Sequence, residues 1–325
     1  MSLLKWETFV TSSLAISFRI FLHLMLGGIS LVGVAAAAED SLRDGTAQRP
    51  LRVMLIPADT GADTTLDDFR PVFNAITRNE DLHFELRVGT SYGSVVEGLV
   101  AKRVDIAFLG PVTFLQAQKR GAAELLAVAV KEKSSSYRAA ILTRAGSGIH
   151  KVEDLKQKRI ALGDVNSTSS FRYPLAMIVR AGVDPVLGVS QISLTGSHSN
   201  ALAALREGHV DAAGCSLHAY EKALNSHAIA PGELSVVAVS PAIPNPPLVM
   251  HPELEPTVKQ RLLEAFRTIH ESPDVRPEMI RGYGGDQYDR FDVDFPQKQF
   301  EEAINDLDPV NPRMIATIIE RAADR

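Results

Sequence analysis

A chain of 325 residues has the length of about two domains. Its 45% apolar and 22% charged residues are the mix of an ordinary globular protein, and a net charge of -5 provides no bulk attraction for nucleic acid. The single cysteine, Cys215, excludes an intrachain disulfide and a cysteine-rich metal site, and reads as a small apolar core residue.

The N-terminus has the pattern of an export signal. Lys5 and Arg19 supply positive charge, Ile20 to Val34 is mostly apolar, and Ala35-Ala36-Ala37-Ala38 before Glu39 fits cleavage after Ala38. Residues 1–38 are expected to be a signal peptide. The alternative is an uncleaved anchor, because Ile20 to Ala38 approaches the roughly 20 residues that span a bilayer. No cysteine lies near the cleavage site, so a lipid anchor is not indicated. Glu39 to Pro50 reads as a polar lead-in.

Leu51 to Pro57 then opens the folded part as a strand. Phe69, Val72, Phe73 and Ile76 recur at helical spacing, and Phe84 to Val88 alternates as a strand. Gly89 to Gly93 is a turn, Ser94 to Lys102 a helix, and Val104 to Pro111 a strand stopped by Gly-Pro. A helix from Val112 to Lys119 and strands at Leu125 to Val130 and Tyr137 to Thr143 follow. This alternation predicts an α/β architecture with largely parallel sheets.

Val152 to Leu155 is a helical turn, and Arg159-Ile160-Ala161-Leu162 is a strand. Gly163-Asp164-Val165-Asn166-Ser167-Thr168-Ser169-Ser170 comes next, then a helix from Leu175 to Gly182. Four consecutive hydroxyls therefore sit where a helix should begin. Unpaired N–H groups and the positive end of the helix dipole lie there too. Together they suit an oxyanion, although a single hydroxyl suffices for ordinary capping.

The second half repeats the grammar of the first. Gln191 to Leu194 is a strand, Gly196 to Ser199 a polar turn and Asn200 to Glu207 a helix. Val210-Asp211-Ala212-Ala213 matches Val104-Asp105-Ile106-Ala107 in pattern and place, and both aspartates are expected to orient loops. Val236 to Val239 is a strand. Pro241 to Pro247 is too proline-rich for a helix or central strand and reads as a crossing between domains. Pro256 to Ile269, Phe300 to Leu307 and Arg313 to Arg321 are helical.

The histidines show no metal-ligating spacing, and no cofactor motif occurs. A hydrolase could be imagined from the serines, His198 and Asp211, but no Gly-x-Ser-x-Gly elbow is present. No catalytic residue is assigned.

Asn166-Ser167-Thr168-Ser169, Gly196-x-His198-x-Asn200-Ala201-Leu202, Val210-Asp211 and Ile243-Pro244 resemble, in order, the phosphonate/phosphite-binding proteins of bacterial ABC importers. Tyr92-Gly93, Val104 to Ala107 and Gly110 add to the resemblance, which runs from about Leu51 to Met250. It implies a type II periplasmic binding protein fold: two α/β lobes joined by two crossing strands, near Leu142 and near Ser240. Residues 51–142 would begin lobe one, 143–240 would form lobe two, and 241–325 would complete lobe one with C-terminal helices.

The implied function is a soluble, periplasmic substrate-binding component of an importer. It would bind a small phosphorus oxyanion such as phosphite or methylphosphonate and deliver it, as a monomer, to a membrane permease. It would touch the membrane only through that permease. A sensing subunit for a membrane receptor would share the fold and site.

The resemblance places Ser167, Thr168, Ser169 and His198 on the phosphorus-bound oxygens, with Tyr92 and Tyr137 reaching from the other side. It also marks Ser170 as a departure, since the family usually has glycine there. Arg172, also near that helix start, reads as a solvated helix residue, with ligand contact as the alternative. Relatives that take aminoalkylphosphonates cage the ammonium with two carboxylates; the matching positions here are His218 and Pro246. Rejection of 2-aminoethylphosphonate is therefore expected unless another acid such as Glu221 takes over, and His218 joins the ligand-binding candidates as a donor.

Overall fold

The computed structural model describes residues 41–57 and 62–323. The expected signal peptide lies outside the described residues.

Strand β1 (Leu51–Leu55) buries Leu51, Val53 and Leu55 and leaves Arg52 and Met54 half-buried, the period of a pleated strand. Helix α1 (Ala62–Glu80) covers it with Phe69, Val72, Phe73 and Ile76 on one face. Next come β2 (Phe84–Val88), α2 (Tyr92–Val100), β3 (Ile106–Phe108), α3 (Pro111–Lys119) and β4 (Glu124–Val130).

The chain then crosses through β5 (Ser136–Tyr137). It continues through β6 (Ala139–Arg144), β7 (Arg159–Leu162), α4 (Tyr173–Arg180), β8 (Gln191–Leu194), α5 (His198–Arg206), β9 (Ala212–Ser216), α6 (Leu217–Asn225) and β10 (Leu234–Val239). It returns through β11 (Ile243–Pro244) into β12 (Pro247–Met250), α7 (Pro256–Thr268), β13 (Arg290–Asp292), α8 (Lys298–Asn305) and α9 (Pro312–Ala323).

Two sheets result, one per lobe. The first has the order β13-β4-β12-β3-β1-β2 and the second β10-β6-β9-β7-β8. In each, three strands are parallel: β2, β1 and β3 in one, β8, β7 and β9 in the other. The remaining strands pair antiparallel, so the sheets are mixed rather than largely parallel. A strand that arrives from the other lobe needs no crossover helix and is free to enter antiparallel.

Strand β12 is one such arrival. It begins at Pro247 and sits centrally between β4 and β3, where the proline-rich composition had argued against a central strand. Proline is tolerated at a strand's first residue.

The crossings are β5 and β11, which pair with each other through Ile243 and Tyr137 and through Pro244 and Ser136. Strand β6 is already part of the second sheet, so the first crossing precedes Leu142. Helix α9 also departs from the expectation for the C-terminus. It packs on the second lobe, where Ile315 and Ile318 join a core with Ile160, Leu162 and Ile192.

The repeated Val-Asp-x-Ala segments lead into β3 and β9 and perform the same task. Asp105 accepts the backbone N–H of Arg52 at 2.7 Å and pairs with its guanidinium at 2.8 Å. Asp211 accepts the N–H of Arg159 at 2.9 Å and pairs with its guanidinium at 2.8 Å. Each aspartate thus ties the start of its parallel strand to the neighbouring one, well away from the site below.

Candidate ligand-binding site

A cavity of about 320 Å³ lies where the helix N-termini of the two lobes face each other. Five elements begin on it. Tyr92 opens α2, Gly110 caps α3, Ser167 caps the turn before α4, His198 opens α5 and Ser216 caps α6. Converging helix starts bring unpaired N–H groups and partial positive charge to one place. All seven residues singled out in the sequence line it: Tyr92, Tyr137, Ser167, Thr168, Ser169, His198 and His218.

The hydroxyl run does not enter an ordinary helix. Thr168–Arg172 forms a wide π turn, in which the N–H of Arg172 reaches the Ser167 carbonyl, before α4 begins at Tyr173. Such turns are rare and occur often at functional sites. Ser167, Thr168 and Ser169 are 2%, 2% and 4% exposed, so a polar ligand there would be held out of water.

Several hydroxyls have their acceptor side occupied. Ser167 Oγ accepts the N–H of Ser170 at 3.2 Å, and Ser216 Oγ accepts the N–H of Ala219 at 3.1 Å. Thr168 Oγ1 accepts the N–H of Val112 at 3.0 Å, a bond that joins the second lobe to the start of α3 in the first. The O–H groups of Ser167 and Ser216 remain available as donors, while that of Thr168 also lies against Tyr137.

His198 is fixed in the same way. Its Nδ1 accepts the N–H of Ser216 at 3.0 Å, so a neutral ring carries its proton on Nε2. Burial pushes the Tyr137 phenol up to about 12, against hydrogen bonds with Ser169 and Thr168 that favour ionisation. Tyr137 is therefore a neutral donor near neutral pH. This end of the cavity is an array of neutral donors, and its geometry suits a tetrahedral oxyanion.

Ser170 does not join them. It is fully buried, lies off the cavity wall, and its Oγ has no hydrogen-bond partner. Gly163 makes room for it: a Cβ at that position would stand 2.1 Å from Ser170 Oγ. Arg172 is not solvated as expected. It is half-buried, donates from Nε to the Val165 carbonyl at 2.8 Å, and braces the 164–167 loop. Burial lowers its pKa, opposed by the Asp164 carboxylate.

The other end of the cavity contains residues that the sequence reading missed: Lys222, Gly284, Asp286 and Tyr288. Lys222 stands one helical turn beyond His218 on α6. Leu217, Tyr220 and Leu224 gave a usable helical spacing for that helix. The Gly-rich segment around Asp286 carries no periodic signal. His218 Nδ1 lies 3.2 Å from Asp286 Oδ2, and that hydrogen bond raises the histidine's pKa. A carboxylate thus does reach the cavity; it is Asp286, whereas Glu221 does not line it.

Among the described residues, no group of three or more histidine, cysteine or acidic side chains is arranged to hold a metal. No helix there is long and apolar enough to cross a membrane.

Two α/β lobes, joined by paired crossing strands and facing each other across this cavity, define a type II periplasmic binding protein. More narrowly, residues 54–294 match the family described as the periplasmic substrate-binding protein of a phosphonate ABC transporter, and the chain belongs to that family. It is a family of substrate-binding proteins, not of enzymes.

The chain is 26% identical over 252 residues to the phosphate-import protein PhnD of Mycolicibacterium smegmatis, covering 73% of this chain and 78% of that one. It is 27% identical over 195 residues to the phosphonates-binding periplasmic protein of Escherichia coli, covering 58% of this chain and 57% of that one. Its fold is similar to that of PhnD1 from Prochlorococcus marinus, solved with methylphosphonate. The TM-score is 0.66 at 19% identity, over 80% of this chain and 98% of that one.

Proposed function

We propose that this protein binds a phosphorus oxyanion of the phosphonate class between its lobes and presents it to the permease of an ABC importer. The observation that carries this reading is the convergence of five helix starts on one cavity, with the buried Ser167-Thr168-Ser169 run among the neutral donors at one end of it. A phosphonate group offers three oxygens, and donors here come from both lobes and from the crossing strand β5. Tyr92, Tyr137, Ser167, Thr168, Ser169 and His198 would hold those oxygens, and His218 would face the substituent on phosphorus.

The lobes would open and close about the paired strands β5 and β11, the usual hinge motion of two-lobed receptors. The Thr168 to Val112 bond joins the lobes beside the ligand position and suits a closed form. Export through the N-terminal signal and action as a monomer in the periplasm complete the proposal.

A thermal-shift screen of phosphite, phosphate, sulfate and methylphosphonate on the folded part of the chain tests it. A ligand that binds only the native state raises the melting temperature in proportion to its occupancy. The expected result is a rise with at least one phosphorus oxyanion and none with sulfate at the same concentration. A screen in which no phosphorus oxyanion shifts the midpoint rejects the reading.

A further inference from the structure

The cavity is larger than its oxyanion end requires. Its volume of about 320 Å³ falls in the range of roughly 300–1,000 Å³ for pockets that enclose whole small molecules. The extra space runs along α6, where His218, Ala219, Lys222, Ala223 and Ser226 form one stripe at helical spacing. The alanines leave room for a chain of methylenes.

Lys222 stands six residues after the Ser216 cap, roughly 9 Å along the axis at 1.5 Å per residue. Its ammonium reaches Gly284 of the first lobe, at the end of the cavity away from the Ser167-Thr168-Ser169 run.

The charges at this end decide what the tail can be. Lys222 is the one lysine or arginine among the described lining residues, and its Nζ donates to the Gly284 carbonyl. Asp286 is the one described carboxylate on the wall, and His218 already engages it at 3.2 Å. Behind the wall, Asp68 faces Arg281 at 3.5 Å and feels the charge of Lys222. With Glu221 and Lys131, whose charges also reach His218, three acids stand against three permanent cations and a histidine. On the wall itself the one carboxylate is engaged by His218, and Asp68, whose Oδ2 has no hydrogen-bond partner, lies off the lining; an ammonium left unpaired at the tail end would cost several kcal/mol. An ammonium cation with a single carbonyl bond, by contrast, has donors to spare.

Resting on the phosphonate reading above, we infer that the natural ligand is a phosphonate with a second anionic group, such as a carboxylate, at the end of a short tail. Lys222 receives that group and sets the specificity. His218 lies on the same wall, one turn closer to the oxyanion end.

Calorimetric titration with methylphosphonate, 3-phosphonopropionate and 2-aminoethylphosphonate tests this. The last two share a two-carbon spacer and differ in the charge at its end. The expected order is 3-phosphonopropionate first, by roughly tenfold or more over methylphosphonate, as a hydrogen bond to an ion provides, and 2-aminoethylphosphonate last. Because Lys222→Met also removes a contact between the lobes, the readout in that variant is the ratio of the two affinities. The ratio should fall to near one in Lys222→Met and be largely kept in Lys222→Arg. Equal binding of methylphosphonate and 3-phosphonopropionate by the parent, or tightest binding of the aminated compound, overturns the inference while leaving the oxyanion cradle standing. An unchanged ratio in Lys222→Met overturns the role of Lys222. Failure of all three compounds to bind removes the cradle and the tail together.

Discussion

Thr168 does more than its neighbours in the cradle. Its hydroxyl accepts the Val112 N–H across the lobes, contacts Tyr137, and lines the cavity. Ser169 contacts Tyr137 and lines the cavity but makes no such bond to the first lobe. Ser169→Ala is therefore expected to cost about 1.5–3 kcal/mol of methylphosphonate affinity, one hydrogen bond to an ion. Thr168→Ala should cost more, because it also removes a bond that holds the lobes together; calorimetry on both variants compares them. Ser170 gives the opposite expectation. A buried hydroxyl without a partner pays desolvation for nothing, so Ser170→Ala should leave the melting temperature unchanged or raise it, by at most about 1 kcal/mol of stability. A clear fall would show that Ser170 Oγ is satisfied in solution.

At the scale of elements, the two aspartate ties differ in burial. Asp105 is fully buried against Arg52, whose side chain is 14% exposed, whereas Asp211 and Arg159 are 23% and 41% exposed. Removing one partner of a buried pair costs about 3–5 kcal/mol. Asp105→Ala should approach that figure, and Asp211→Ala should cost about 1 kcal/mol, closer to one ordinary hydrogen bond. Denaturant midpoints of the two variants test the order.

Much of this level was legible in the sequence. The Val-Asp-x-Ala repeat, the strand–hydroxyl turn–helix plan and the seven lining residues all came from local pattern and family order. What stayed hidden depended on the return of distant chain. Strand β12 contradicted its proline-rich composition because only its first residue is proline. Asp286 reaches the cavity from a loop without periodicity, and α9 joins the second lobe although nothing local to it says so.

For the whole molecule, the contacts that span the cavity favour closure. Besides Thr168 and Val112, the His218–Asp286 pair links α6 of the second lobe to the loop preceding β13 of the first. The Asp286 hydrogen bond raises the histidine's pKa above 6.5, with Glu221 adding to the effect and burial and Lys131 opposing it. If opening frees His218 to its ordinary value, the pair's contribution is full below pH 6.5 and is lost as pH rises through the raised value. Ligand affinity should then decline across that window, and less so in His218→Gln. A pH-independent affinity in the parent would argue against this link.

Closure should also be visible in solution. Small-angle scattering should give a smaller radius of gyration with a saturating phosphonate than without it, and equal radii would count against hinge motion. The most direct test of the central claim is calorimetric titration of methylphosphonate into the folded chain and into a variant with Ser167, Thr168 and Ser169 all replaced by alanine. One site per parent chain is expected, and no measurable binding by the variant while the variant stays folded. Absence of binding by the parent, or equal affinity in both proteins, would contradict it.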